Sequence, residues 1–241
     1  MGVLLTSEVR RVLRSPRFLI FTVGFPVVYF LLFSGLYATG ADAAAVTVVL
    51  MLNMAAFGAI SASISTGGRV AVERAVGWNR QLRLTPLPGW AYLAVKAAVA
   101  MLVALPALVL TFLVAVVVKH VDLTAVEWVR VGAAAWLGVL PFAAIGLLVG
   151  MSATQDSAQG MSTVTMLLFS LLGGVLIPAS ILPSALATVA HALPSYWLAE
   201  IARGQATGEA MPLQGVAVML AWLVVAGGLV AVRYRRDALR V

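Results

Sequence analysis

No cysteine occurs in the 241 residues, which removes disulfides, thiolate metal sites and thiol nucleophiles together. Charge is also scarce. Only 10% of residues are Asp, Glu, Lys or Arg, against about 25% in an ordinary soluble domain. Lysine appears only at Lys96 and Lys119, and neither sits in G-x-x-x-x-G-K-[ST], so there is no phosphate-binding loop. The histidines, His120 and His191, have no nearby cluster of acids and histidines with metal-ligating spacing, and no metal ligand is assigned. G-x-S-x-G and H-E-x-x-H are absent. No nucleophile can be matched with a base, no catalytic residue is assigned, and a membrane enzyme becomes a distant reading.

What is present is apolar. Hydrophobic residues make up 62% of the chain, and the mean hydropathy is +1.04. This composition predicts an all-α integral membrane protein, with residues 1–241 forming one membrane domain and no room for a sizeable soluble one. Six runs with little or no charge place spans near 18–39, 45–68, 92–117, 129–151, 158–177 and 212–232. The first is too long an apolar core for a signal peptide, despite the small-residue stretch Ala41-Asp42-Ala43. Ahead of it, Leu4, Leu5, Val9, Val12 and Leu13 recur at helical spacing with Arg10, Arg11 and Arg14 mostly elsewhere. Residues 1–16 are therefore expected to form a basic amphipathic helix on the membrane surface.

The formal charge of +7 sits at span-flanking positions, which suits orientation and anionic lipid rather than nucleic acid. Arg10, Arg11, Arg14 and Arg17 precede the first span. Arg69, Arg74, Arg80 and Arg83 lie between the second and third, and Arg233, Arg235, Arg236 and Arg240 follow the sixth. Only Lys119, Arg130 and Arg203 lie opposite. Both termini and the 69–88 loop are thus expected in the cytoplasm. All nine acids (Glu8, Asp42, Glu73, Asp122, Glu127, Asp156, Glu200, Glu209 and Asp237) fall at or beyond the predicted span ends. Transport coupled to protons or sodium generally needs buried acids or a charged relay, so uphill movement would draw its energy from another polypeptide.

Two segments interrupt the apolar pattern. In the first, ERAVGWNRQLRLTPLP at 73–88, the second span is expected to continue helically through 69–76. Gly77 can end it in the left-handed conformation, Asn79 can cap a short second helix through Arg80, Leu82 and Arg83, and Pro86 stops it before Leu87. Trp90 and Tyr92 would re-enter the interface, with Lys96 snorkelling there. The arginines also read as plain orientation signals, and Glu73 as a partner of Arg69 or Arg80 around the turn. The second interruption, 178–211, is cut by Pro178, Pro183 and Pro194 into pieces too short to span, and Tyr196 and Trp197 suit an interfacial aromatic belt. It reads as two short helices forming a re-entrant outer feature, or else as an ordinary outer loop. Asn53, the one amide within an early span, reads as facing the dimer interior or a translocation path, or as making an interhelical hydrogen bond; Phe57 reads with it as lining a path or a helix–helix contact. Gly146-x-x-x-Gly150 is a close-packing face, within the chain or between copies.

The pattern E-R-x-x-G-x-x-x-x-L-x-x-x-P-L, carried by Glu73, Arg74, Gly77, Leu82, Pro86 and Leu87 with Lys96 following, resembles the loop after span two in type-2 ABC exporter permeases. The outer segment, with Gly174, Pro178, Pro183, Pro194, Tyr196 and Arg203, is similar to that family's outer re-entrant region. Trp78-Asn79 departs from the usual small polar and aliphatic pair. The resemblance covers essentially the whole chain and implies a bacterial plasma-membrane permease working as a dimer with a second copy or a homologue. Glu73, Arg74, Gly77, Arg80, Leu82, Arg83, Pro86 and Leu87 would form the coupling loop to a separate cytosolic ABC ATPase. ATP and Mg would bind that partner, and this chain would bind no cofactor. The family includes antibiotic-resistance, polysaccharide and lipid exporters, and a path without charge suits an amphipathic or lipid-like cargo. The alternative is a non-transporting scaffold whose loop binds a cytosolic partner without transmitting force.

Overall fold

The computed structural model describes residues 20–77, 89–177 and 183–239, with the single positions Thr6, Arg10 and Arg14. Among the described residues every regular element is helical. A π-turn over Ile20–Gly24 leads into α1, Phe25–Tyr37. Then come α2 (Ala43–Ala75), α3 (Gly89–Lys119), α4 (Ala125–Leu137), α5 (Leu140–Ser152), α6 (Ala158–Leu172), α7 (Ser184–His191), α8 (Pro194–Ala206) and α9 (Leu213–Leu239). Most of the expected amphipathic segment 1–16 lies outside the described residues, although the Arg14 N–H donates to the Arg10 carbonyl at helical spacing.

Helix α2 is the axis of the fold. Every residue from Met51 to Ile64 is buried, because α1, α3, α5, α6 and α8 all pack against it. Its 33 residues extend about 50 Å at roughly 1.5 Å per residue, well beyond the ~30 Å hydrocarbon core. The helix is thus longer than a bilayer crossing needs, and it runs through Ala75, where the sequence leads one to expect helix. Gly77 ends it with φ of 73°, a conformation that costs glycine little.

Four stretches are long and apolar enough to cross a bilayer: Ala43–Ala75, Ala91–Lys119, Ala125–Ser152 and Leu213–Asp237. Thr22–Tyr37 and Ala158–Leu172 are shorter apolar helices. The spans drawn at 18–39 and 158–177 are thus longer than the helices observed. The second stops early because Gly173 and Gly174 cap it, Gly174 at φ of 73°, while the amides of Val175 and Leu176 both donate to the Ser170 carbonyl. The span at 129–151 starts earlier than expected, at Ala125, where Thr124 and Glu127 form a reciprocal capping box. It is also two helices, not one. Pro141 lacks the N–H that would continue the ladder, and the chain turns at Gly138 and Val139.

Glycines set the closest approaches. The missing Cβ of Gly67 on α2 would lie 2.0 Å from the Gly146 carbonyl oxygen, and that of Gly150 on α5 would lie 2.3 Å from the Gly67 carbonyl oxygen. The Gly146-x-x-x-Gly150 face is therefore spent within the chain, on α2. Outward-facing side chains are mostly apolar: Val28, Leu32 and Leu36 on α1, Val164 and Leu168 on α6, and Val224, Val225 and Leu229 on α9 are all exposed. Such an exterior would aggregate in water and is ordinary in lipid.

Candidate functional site

The C-terminal end of α2 is where the sequence-marked residues converge. Glu73 and Arg74 are adjacent on its last turn and point to different neighbours. Glu73 accepts a hydrogen bond from the Tyr92 hydroxyl at 2.9 Å and pairs with the Lys96 ammonium at 2.5 Å, both on α3. The side chains of Lys96 and Glu73 are only 3% and 12% exposed. Lys96 is therefore paired inside the protein rather than reaching out to water, and Tyr92 is buried beside it. An acid one helix away gives the buried ammonium a counter-charge, which outweighs the reach to water. Glu73 thus ties α2 to α3.

Arg74 reaches the other way. Its Nε and Nη2 meet Asp237 Oδ2 of α9 at 2.9 and 2.7 Å, and its Nη1 donates to the Gly150 carbonyl at 3.1 Å. That carbonyl belongs to the last turn of α5, where no helical donor follows, so the guanidinium also acts as a cationic cap. Tyr92 stacks on Tyr234 of α9 with centroids 5.9 Å apart and ring planes 17° from parallel. Lys96, Tyr92, Asp237 and Tyr234 escaped the sequence reading as a set. The available signals were Lys96 as the one lysine in an otherwise apolar run and Asp237 as the one acid in the basic tail. Arg80, Leu82, Arg83, Pro86 and Leu87 lie outside the described residues.

At the opposite end, α7 and α8 form the two short helices expected between Pro178 and the last span; Pro178 itself is outside the described residues. Pro183 precedes α7 and Pro194 opens α8, a position where its missing N–H costs nothing. Helix α8 is no surface loop. Ser195, Trp197, Leu198, Ala199, Ile201, Ala202 and Gln205 are buried against α4, α9 and α2. Two glycines accept it: the absent Cβ of Gly173 would meet Ser195 Oγ at 1.9 Å, and that of Gly138 would meet Leu198 Cδ1 at 2.3 Å. Trp197 is buried rather than part of an interfacial belt, its indole N–H donating to the His191 carbonyl at 2.7 Å. Tyr196 stands edge-on to His191 at 4.5 Å. Partial burial, helped by Glu200, raises its phenol pKa above the ordinary 10.0, so the hydroxyl stays a donor. Gly174, in its left-handed turn, is buried.

Between the two ends the interior is neutral but not wholly apolar. Asn53 and Phe57 are buried on α2, and Phe57 meets Phe25 of α1 at 5.3 Å between centroids. Asn53 Oδ1 accepts no hydrogen bond from any described residue, so that oxygen does not make the helix–helix bond expected of it. The hydroxyls of Ser63, Ser162, Ser170 and Ser195 are likewise buried without a described partner. Among the described residues no group of His, Cys, Asp or Glu could hold a metal ion.

A helical chain with several apolar spans, an apolar exterior and its charges gathered at the helix ends is a multi-pass membrane protein. Residues 1–206 match the family described as "ABC-2 type transporter", and the chain belongs to that family. It is similar to the "Putative transport permease YvfS" of Bacillus subtilis (strain 168), at 28% identity over 220 residues that cover 90% of each chain. The chain is accordingly a permease subunit, the non-catalytic membrane component of a transporter whose family works with an ATPase subunit.

Proposed function

We propose that this permease exports an amphipathic or lipid-like cargo from the bacterial cytoplasm, driven by a separate ATPase that carries the ATP and Mg. Lipid-like antibiotics fall within that cargo class. The observation that carries the cargo class is the chemistry of the interior. Among the described residues the long apolar helices hold no Asp, Glu, Lys or Arg over 43–68, 97–118, 131–152 and 213–232, while Asn53 Oδ1 and the hydroxyls of Ser63, Ser162, Ser170 and Ser195 are buried and unpartnered. Apolar walls with a few neutral hydrogen-bonding groups suit a cargo of the same make-up, and an unpaired polar atom away from water gains from meeting one.

The same reading supplies the topology. Six spans, both termini and the 69–88 loop in the cytoplasm, and a re-entrant α7–α8 pair on the outside follow from the distribution of Lys and Arg. A second copy or a homologue would complete the permease. Closure of the ATPases would press on the loop that begins at Gly77, and the long α2 would carry that displacement inward.

The test is purification of the solubilised protein from its native membrane, followed by an ATP-hydrolysis assay on what accompanies it. The expected result is a co-purifying ATPase that is lost when Arg80 and Leu82 are both changed to alanine. A pure membrane protein with no hydrolytic partner would favour a scaffold that transports nothing.

A further inference from the structure

Most of the charged side chains at the inner ends of the helices could serve orientation alone. Glu73 and Arg74 do not fit that description, because both are committed to partners on other helices. A residue that only marks the cytoplasmic side needs water or lipid headgroups, not a specific carboxylate. Arg74 has all three guanidinium nitrogens engaged within the chain, two with Asp237 and one with the Gly150 carbonyl. Its plane is thus fixed between α5 and α9. Lysine, with one nitrogen and no fork, could not hold both partners at once. Glu73 is fixed in the same way against Tyr92 and Lys96, and the Tyr92–Tyr234 stack joins the two arms across α3 and α9.

Resting on the coupling reading above, we propose that Asp237 and Tyr234 of α9 are positioning residues of the coupling apparatus. The last turn of α2, the first turns of α3 and the inner ends of α5 and α9 then move as one body when the loop between α2 and α3 is pushed. Arg74 is a positioning residue in this scheme rather than a docking contact, since its donors face inward. Without the clasp, force on the loop would reach α9 only through the packing of α2 on α5 and of α5 on α9. With it, α9 is tied directly to the last turn of α2, although α9 lies far away in sequence. The buried Glu73–Lys96 pair suits this duty: separating it would strand a charge away from water, so the arm holds under load where an exposed pair would yield.

The experiment uses the permease with its co-purified ATPase. The chain has no cysteine, so spin labels can be placed uniquely at the exposed positions Val76 and Arg236, and their separation measured without nucleotide and after trapping with ATP and vanadate. The expected result is the same separation in both states. In Asp237→Asn the separation should change between states, and the ATPase should remain bound while its hydrolysis falls about fivefold or more, the size of an ordinary coupling between sites. Arg74→Lys should behave like Asp237→Asn despite keeping its charge, which a pure orientation role would not predict. A native separation that changes on trapping would overturn the inference, as would native hydrolysis and spacing in Asp237→Asn. Either result would leave the exporter reading intact. Failure of the native protein to bring down an ATPase would overturn both.

Discussion

Lys96 shows what a single residue decides in this protein. An ammonium 3% exposed is tolerable only because Glu73 stands beside it, so the two residues have to be judged as a pair. Lys96→Met should destabilise the protein by about 3–5 kcal/mol, because it leaves the Glu73 carboxylate buried without a counter-charge. The double variant Glu73→Gln with Lys96→Met should recover much of that loss. Thermal unfolding in detergent measures both, and a single variant as stable as the parent would show that leaving Glu73 without Lys96 costs nothing. The sequence marks Glu73 and Arg74 plainly, by charge in an apolar chain. It does not say where they point, since Lys96 and Asp237 are distant in sequence and only the packing of α3 and α9 against α2 brings them near.

Helix against helix, the decisive contacts are backbone to backbone. The α2–α5 crossing rests on Gly67, Gly146 and Gly150, and no side chain fits between them. Gly67→Ala should cost about 1–3 kcal/mol, since a methyl group 2.0 Å from a carbonyl oxygen forces the helices apart. The neighbouring Gly68→Ala provides the comparison. Its added carbon would meet only Gln159 Oε1 at 3.5 Å, an ordinary contact, and alanine favours the helix. Unfolding midpoints that fall equally for both variants would refute the close-approach argument. Hydropathy found the helices but misjudged their ends. Gly173–Gly174 and Pro141 are strong stop signals locally, yet within a long apolar run they are overridden or obeyed according to what packs beside them. The same holds for α8, which the sequence reads as a short helix and whose burial comes from the hollows at Gly138 and Gly173.

For the whole molecule, the proposed topology has the inner, cytoplasmic end at Gly77, Ser152 and Arg236 and the outer end at Asp122 and α7–α8. A single cysteine can be read without background in a cysteine-free chain. Asp122→Cys should react with a membrane-impermeant maleimide in intact cells, and Arg236→Cys should react only after the cells are opened. The reverse pattern would invert the topology and with it the direction of transport. The exposed apolar faces of α1, α6 and α9 need lipid or a second permease chain around them.

The sequence alone determined the class of this protein, because composition acts through a bulk property. A chain with so little charge and long apolar runs has only one solvent that suits it, and backbone groups in that solvent must pair within helices. It also determined the extent of α2 and the turn at Gly77, since a left-handed glycine and a helix outlasting the apolar layer are local matters. The tertiary structure alone decided the partners: Lys96 and Tyr92 for Glu73, Asp237 and the Gly150 carbonyl for Arg74, and Gly67 for the Gly146-x-x-x-Gly150 face. Charge pairing and glycine contacts act over a few ångströms between residues far apart along the chain, and only the packed fold sets those distances.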